Sequence, residues 1–468
     1  MKTDRLHRLN LPSFYKFQKV LSLFLCIFSF NACLLNPIVH DLLFPEKKSS
    51  SNSLLALWAL LANAESSVEL NRNWAGIRKG ESLQLEAKYY IFGSQVDSSF
   101  QWSSSNNTVA TVDANGFVQS IGNGKVIITA TSADGRAKAD CDITVFTGYV
   151  YTSLDLNSSV AFLTMNHTTG LLSHYASFPT GNGPTGIGVE PSGKFLYTGD
   201  FYGNTISQHL INQTTGALTQ NSPTTAAAGN SPRNLVITPD GKYLYLASEG
   251  TQSIHAFAIN GDGTLSFLNF YNTSIVHSQI QISRNGNFIF FMNPSVTEVT
   301  SFRINYADGS LSQVNISPSF PNDGSGHITT HPNGKYIYVG SFPAVTVLSF
   351  DKNTGSMSIV DSVFHGKSIN STAIHPSGSF LYLVHINEDT ISCYTVDSKS
   401  GKISYSSNVT TFAYSSIRFM IIDPTGRFAY VAANGGNLIQ YSINQTTGEL
   451  ILLGKVDIGA VQWNLTFL

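Results

Sequence analysis

The chain has 468 residues, only 12% of them charged, with 27 Lys+Arg against 29 Asp+Glu. This sparse, balanced charge excludes the basic face a nucleic-acid binder needs, and the length leaves room for two or three domains. Gly, Ser, Thr, Asn, Tyr and Phe abound, and no long stretch after residue 65 carries helical apolar spacing. The expectation is an all-β chain of short strands and tight turns.

Residues 1–32 have the layout of an export signal. Lys2, Arg5, Arg8, Lys16 and Lys19 are followed by the apolar run "VLSLFLCIFSF" and then by Ala32-Cys33. The small residue before a cysteine resembles a bacterial lipobox. The resemblance implies a lipoprotein lipidated at Cys33, held to a membrane by that lipid in the bacterial envelope. An ordinary cleaved signal or a signal anchor is the alternative, since Ala62-Asn63-Ala64 also has a cleavage pattern. Residues 33–65 read as a tether, because "FPEKKSSSNS" is polar and Ser-rich and the apolar run after it is too short to span a bilayer.

Residues 66–146 alternate apolar and polar positions in short runs such as "SLQLEAKYY", "KVIITATS" and "CDITVF", the pattern of a β-sandwich. The phrase "WSSSNNTVATVDANGFVQSIGNGKVIITATS" resembles bacterial Ig-like domains of group 2. That resemblance implies a spacer or adhesive module in which Trp102 packs between the sheets and Asp113 to Gly116 make a turn.

Two markers repeat through residues 147–468. The glycine of a P-x-G-K phrase stands at Gly193, Gly241, Gly286, Gly334, Gly378 and Gly426, 44 to 48 residues apart. The glycine of a T-T-G-like phrase stands at Gly170, Gly216, Gly263, Gly309, Gly355, Gly401 and Gly448, 46 or 47 apart. Each unit holds four apolar runs. Seven four-stranded units at this period predict a seven-bladed β-propeller. The final "QWNLTFL" matches the first strand of a unit, the strand missing before Tyr149, so it is expected to complete that blade and close the ring.

Four cysteines (Cys26, Cys33, Cys141, Cys393) form no CxxC pair and no Cys/His cluster, so neither a metal site nor a cofactor is expected. Cys141 and Cys393 are read as buried free thiols. The two turn families share one face of the ring, and ligand chemistry is expected on the other. There the strand-one entries and the ends of the second strands place Arg233, His277, Gln279, His327, His385 and Arg418, a polar mouth suited to a small anionic or polar ligand. The His331-Pro and His375-Pro pairs fall on the turn face and are read as structural.

The repeat phrase "PSGKFLYTGD…NTIS…INQTTGALT" resembles the lactonase-like seven-bladed propellers, akin to bacterial 6-phosphogluconolactonase and to YVTN-type surface propellers. In that pattern one blade entry carries His-Ser. The next carries Pro-Arg-His, with Asn-Glu ending its second strand. This chain keeps His277-Ser278 and His327, but Gly326 replaces the arginine and Ser341-Phe342 replace Asn-Glu. An Arg233…Glu249 pair stands in another blade without the histidine. No residue is therefore assigned a catalytic role, with His277 and His327 the nearest candidates. The expected function is a surface-anchored binding scaffold for a protein or glycan partner. The alternative is a lactonase-type hydrolase acting on a sugar lactone.

Overall fold

The computed structural model describes residues 65–273, 279–293, 297–321, 326–385, 388–411, 417–459 and 462–468. The export signal, Cys33 and the tether lie outside these residues, as does His277.

The first module is a β-sandwich. Its largest sheet pairs Lys138–Phe146 with Gly124–Ser132, which in turn pairs with Phe100–Ser104, all antiparallel. Trp74–Arg78 adds to Lys138–Phe146 in parallel, a pairing between segments over sixty residues apart that local patterning does not reveal. Trp102 packs against both apolar clusters of the sandwich. Asp113 and Gly116 close the turn through a backbone hydrogen bond.

The remaining strands form seven four-stranded sheets in a ring. We number the blades by their first strands: blade 2 at Pro184–Val189, blade 3 at Pro232–Ile237, blade 4 at Ile280–Ile282, blade 5 at His327–Thr330, blade 6 at Ile369–Ile374 and blade 7 at Ile417–Ile422. Blade 1 is composite. Its strand Tyr149–Leu154 pairs on one side with Ser159–Met165 and on the other with the C-terminal strand Gln462–Phe467. The first strands of neighbouring blades touch one another, which places them around the axis. Outer strands such as Leu172–Pro179 and Met357–Phe364 alternate exposed and half-buried residues and face solvent.

The repeat phrase is a blade-building device. Its glycines take φ between 70° and 78°, a left-handed conformation that costs glycine nothing. The tyrosine four residues on is fully buried and crosses to the next blade, as does Tyr151 at the equivalent place in blade 1. Tyr151, Tyr197, Tyr245, Tyr338, Tyr382 and Tyr430 donate to the carbonyls of Gly216, Gly263, Gly309, Gly401, Gly448 and Gly170 at 2.6–3.2 Å. Blade 4 has Phe290 there, and the Ser301 hydroxyl supplies the bond to Gly355 instead. Both sequence markers thus meet in one inter-blade hydrogen bond. His331 and His375 bridge blades on the turn face through Gly378 and Gly426 carbonyls. Cys141 and Cys393 are buried free thiols.

The sandwich is docked on the turn face of the ring. Trp74 meets His375 edge to face at 5.6 Å. Asp142 pairs with Arg284 at 2.5 Å. A Cβ on Gly76 would lie 2.1 Å from the Pro424 carbonyl oxygen. A module expected as a spacer therefore caps one end of the channel.

Candidate functional site

The open end of the channel owes its chemistry to a backbone irregularity. In blades 2, 3, 6 and 7 the pairing of the first and second strands skips one residue at the entry. The skipped residues are Thr185, Arg233, Asn370 and Arg418. A bulge turns the extra side chain away from the ladder, and all four of these line one pocket of about 130 Å³. Asn234, Gln279, Phe419 and Asn464 complete it.

Two blades present the same construction. Arg233 Nε pairs with Glu249 Oε2, and Arg418 Nε donates to Asn434 Oδ1, each partner sixteen residues on. The Arg233 guanidinium lies 4.9 Å from the Phe201 ring centroid. Amides join the blades across the mouth: Asn464 Nδ2 donates to Asn234 Oδ1 at 3.1 Å, and Asn234 Nδ2 donates to Gln279 Oε1 at 3.0 Å. Asn370 Nδ2 reaches the Arg418 carbonyl at 2.9 Å. Burial pulls Arg418 down from its ordinary value, Asp155 opposes this, and the charge of Arg233 adds to it. Two guanidinium groups that feel each other across a small polar cavity favour an anion or a developing oxyanion between them.

Of the residues expected here, the structure brings Arg233, Gln279 and Arg418 together. His327 and His385 do not line the pocket. His327 is buried with its ring against Phe419 at 5.6 Å, and its Nδ1 accepts from the Thr372 N–H at 3.2 Å. His385 is fully buried with Nε2 2.8 Å from the Ser392 hydroxyl. Burial pushes both imidazoles down to about 4, so both are neutral near pH 7. Asp200, aligned with His385 in blade 2, is held by the hydroxyls of Thr198, Thr205 and Ser207 and raised by burial to about 6. Among the described residues no three His, Cys, Asp or Glu side chains converge as a metal cradle.

Asn434 and Asn464 escaped the sequence reading. The shared sixteen-residue offset after a strand-entry arginine is the signal that would have found Asn434. Asn464 needed the alignment of the C-terminal strand with the other first strands.

The chain matches the family described as "Lactonase, 7-bladed beta-propeller" over residues 105–232, 144–273, 221–325 and 272–463. It matches "Bacterial Ig-like domain (group 2)" over residues 66–143. A 6-phosphogluconolactonase of Cronobacter sakazakii is 28% identical over 186 residues, 39% of this chain and 55% of that protein. The 6-phosphogluconolactonase of Bacillus subtilis is 27% identical over 178 residues, 36% of this chain and 50% of that protein. The chain spans about half the length of these curated relatives. Among solved structures, a Bacteroides uniformis propeller superposes with TM-score 0.61 at 18% identity, covering 68% of this chain and 99% of that one. The periplasmic gluconolactonase of Pseudomonas aeruginosa gives 0.59 at 17% identity, covering 68% and 98%.

These relatives overturn the expectation of a non-catalytic scaffold. That expectation looked for the arginine and the carboxylate in the blade of His327, where Gly326 and Ser341-Phe342 replace them. It set the Arg233…Glu249 pair aside for want of a histidine in the same blade, although the fold joins the two side chains two blades away, with Arg233 lining the mouth. The chain belongs to the seven-bladed lactonase propeller family and carries an Ig-like domain of group 2 before the ring.

Proposed function

We propose that this protein hydrolyses a sugar lactone at the open mouth of the propeller. The observation that carries the reading is the convergence of Arg233 and Arg418 on one pocket of a lactonase-family ring, with Glu249 paired to Arg233 behind it. The relatives named 6-phosphogluconolactonase support a sugar-lactone substrate.

Ring opening needs a water to attack the ester carbon, a base for its proton and a cation for the oxygen that becomes negative. Glu249 is the base. It takes the proton as the water oxygen bonds to the carbonyl carbon. Arg233 orients that carboxylate through Nε. Arg418, whose Nε donates to the neutral Asn434 side chain, supplies positive charge to the carbonyl oxygen or to an anionic substituent of the substrate. The tetrahedral intermediate collapses with cleavage of the ring C–O bond. The leaving alkoxide recovers the proton, and a hydroxy acid is released. The amides of Asn234, Gln279 and Asn464 bind hydroxyls of the sugar.

The basic leader, apolar run and Cys33 support export and lipid anchoring of this activity in the envelope. Mass spectrometry of the mature N-terminus tests the lipid anchor, and an unmodified fragment starting at Glu65 would exclude lipidation at Cys33. The catalytic part is tested by measuring acid release from 6-phosphogluconolactone and from gluconolactone. Glu249→Gln and Arg418→Ala should each lower kcat/KM by about a hundredfold or more. Turnover that never exceeds spontaneous ring opening, or that survives both substitutions, would refute the reading.

A further inference from the structure

We propose that the cavity between the Ig-like module and the turn face of the propeller is a second binding site, taking a small hydroxylated anion through Lys125 and Asn123. The cavity measures about 320 Å³, larger than the mouth pocket, and lies at the opposite end of the channel. Its propeller wall is made by the far ends of first strands, including Val189, Ile237 and Phe467, whereas the mouth is made by their beginnings. The module supplies Asn123 and Lys125 from the turn and strand that face the ring.

Lys125 forms no ion pair among the described residues. The acid that acts on it, Asp142, is engaged by Arg284 at 2.5 Å, and the Arg284 charge repels the ammonium. Across the cavity, the Glu190 carboxylate accepts from the hydroxyl and the N–H of Ser192. Asn123 is buried and its Oδ1 has no hydrogen-bond partner among the described residues. The exposed Lys125 ammonium is open to an incoming anion, and the buried Asn123 acceptor without a donor carries an energetic penalty. One ligand satisfies both when it brings a negative group to Lys125 and a hydroxyl to Asn123. The other walls are largely apolar, which matches a small-molecule site with few orienting polar groups. A sugar acid has this chemistry, and hydrogen phosphate shares it.

The test uses the full-length chain in detergent with Arg233→Ala and Arg418→Ala, so that the mouth does not compete. Gluconate and inorganic phosphate are titrated calorimetrically. Saturable one-site binding is expected for at least one of them, weakened tenfold or more by Lys125→Met and kept by Lys125→Arg. Affinity should fall at alkaline pH as the Lys125 ammonium, held below its ordinary value by desolvation and by the Arg284 charge, loses its proton. In the otherwise wild-type chain, Lys125→Met should leave lactone turnover unchanged, so failure here is separable from failure of the mouth. Should Lys125→Met not fold, Asn123→Ala replaces it with the same expected loss. Absence of saturable binding by both probes, or equal affinity in the Lys125 or Asn123 variant, would overturn the proposal and leave a hydrated gap between domains.

Discussion

Replacing Tyr382 with phenylalanine isolates the bond that repeats around the ring. Tyr382 is fully buried and its hydroxyl donates to the Gly448 carbonyl at 2.7 Å. The substitution keeps the ring and its packing, so no cavity larger than one oxygen opens. It removes a hydrogen bond worth about 1 kcal/mol net and leaves a buried carbonyl without its donor, for a total cost of roughly 1–3 kcal/mol. With an unfolding entropy near 2 cal/mol/K per residue, a cooperative unit of roughly 300 residues loses about 2–5 °C in melting temperature. Differential scanning calorimetry reads this directly. Ser301→Ala is the internal control, because Ser301 makes the equivalent bond where Phe290 stands in the tyrosine position. It should cost a similar amount, and neither variant should change lactone turnover. Melting temperatures within about 0.5 °C of wild type for both would refute the claim that these bonds hold blade to blade.

Gly76→Ala should push the Ig-like module off the ring, because its Cβ would meet the Pro424 carbonyl oxygen at 2.1 Å. Small-angle scattering should show a larger radius of gyration, and an unchanged radius would mean that the contact yields. Acid should destabilise the fold. Burial holds His327, His331 and His385 at about 4, below the 6.5 of the unfolded chain. Their depressed values give stability that is full above pH 6.5 and lost as pH falls towards 4. Asp200, raised to about 6 by burial, and Asp423, also raised by burial, act oppositely, but they are two groups against three. A melting temperature that stays level or rises from pH 7 to pH 4.5 would contradict this, and His385→Gln should flatten the slope. The thiols of Cys141 and Cys393, pushed up by burial to about 12 and about 11, should resist alkylation at pH 8 until the protein unfolds.

Much of the architecture was legible because it is periodic. The P-x-G-K and T-T-G glycines announce positive-φ turns at a constant interval, and constant spacing of turns and apolar runs leaves few folds besides a closed ring of blades. The final strand was recognisable as a displaced first strand for the same reason. The site was less legible. Its residues come from blades 2, 3, 4, 6 and 7 and from the C-terminal strand, so no local window contains them. His327 has the residue type and register expected of a catalytic group, yet it is buried against Phe419 with Thr372 as its partner. Arg233 and Glu249 looked misplaced in sequence, yet a bulge after Pro232 turns the arginine onto the carboxylate at the mouth.

The sequence by itself determined the all-β class, the sandwich, the number of blades and the turn face, because these follow from glycine conformation and strand periodicity along the chain. Only the tertiary structure decided which side chains share the mouth and how the Ig-like module is used. Bulge placement, inter-blade contacts and the docking of Trp74, Gly76 and Asp142 onto His375, Pro424 and Arg284 join residues hundreds of positions apart, and no periodicity records such pairings.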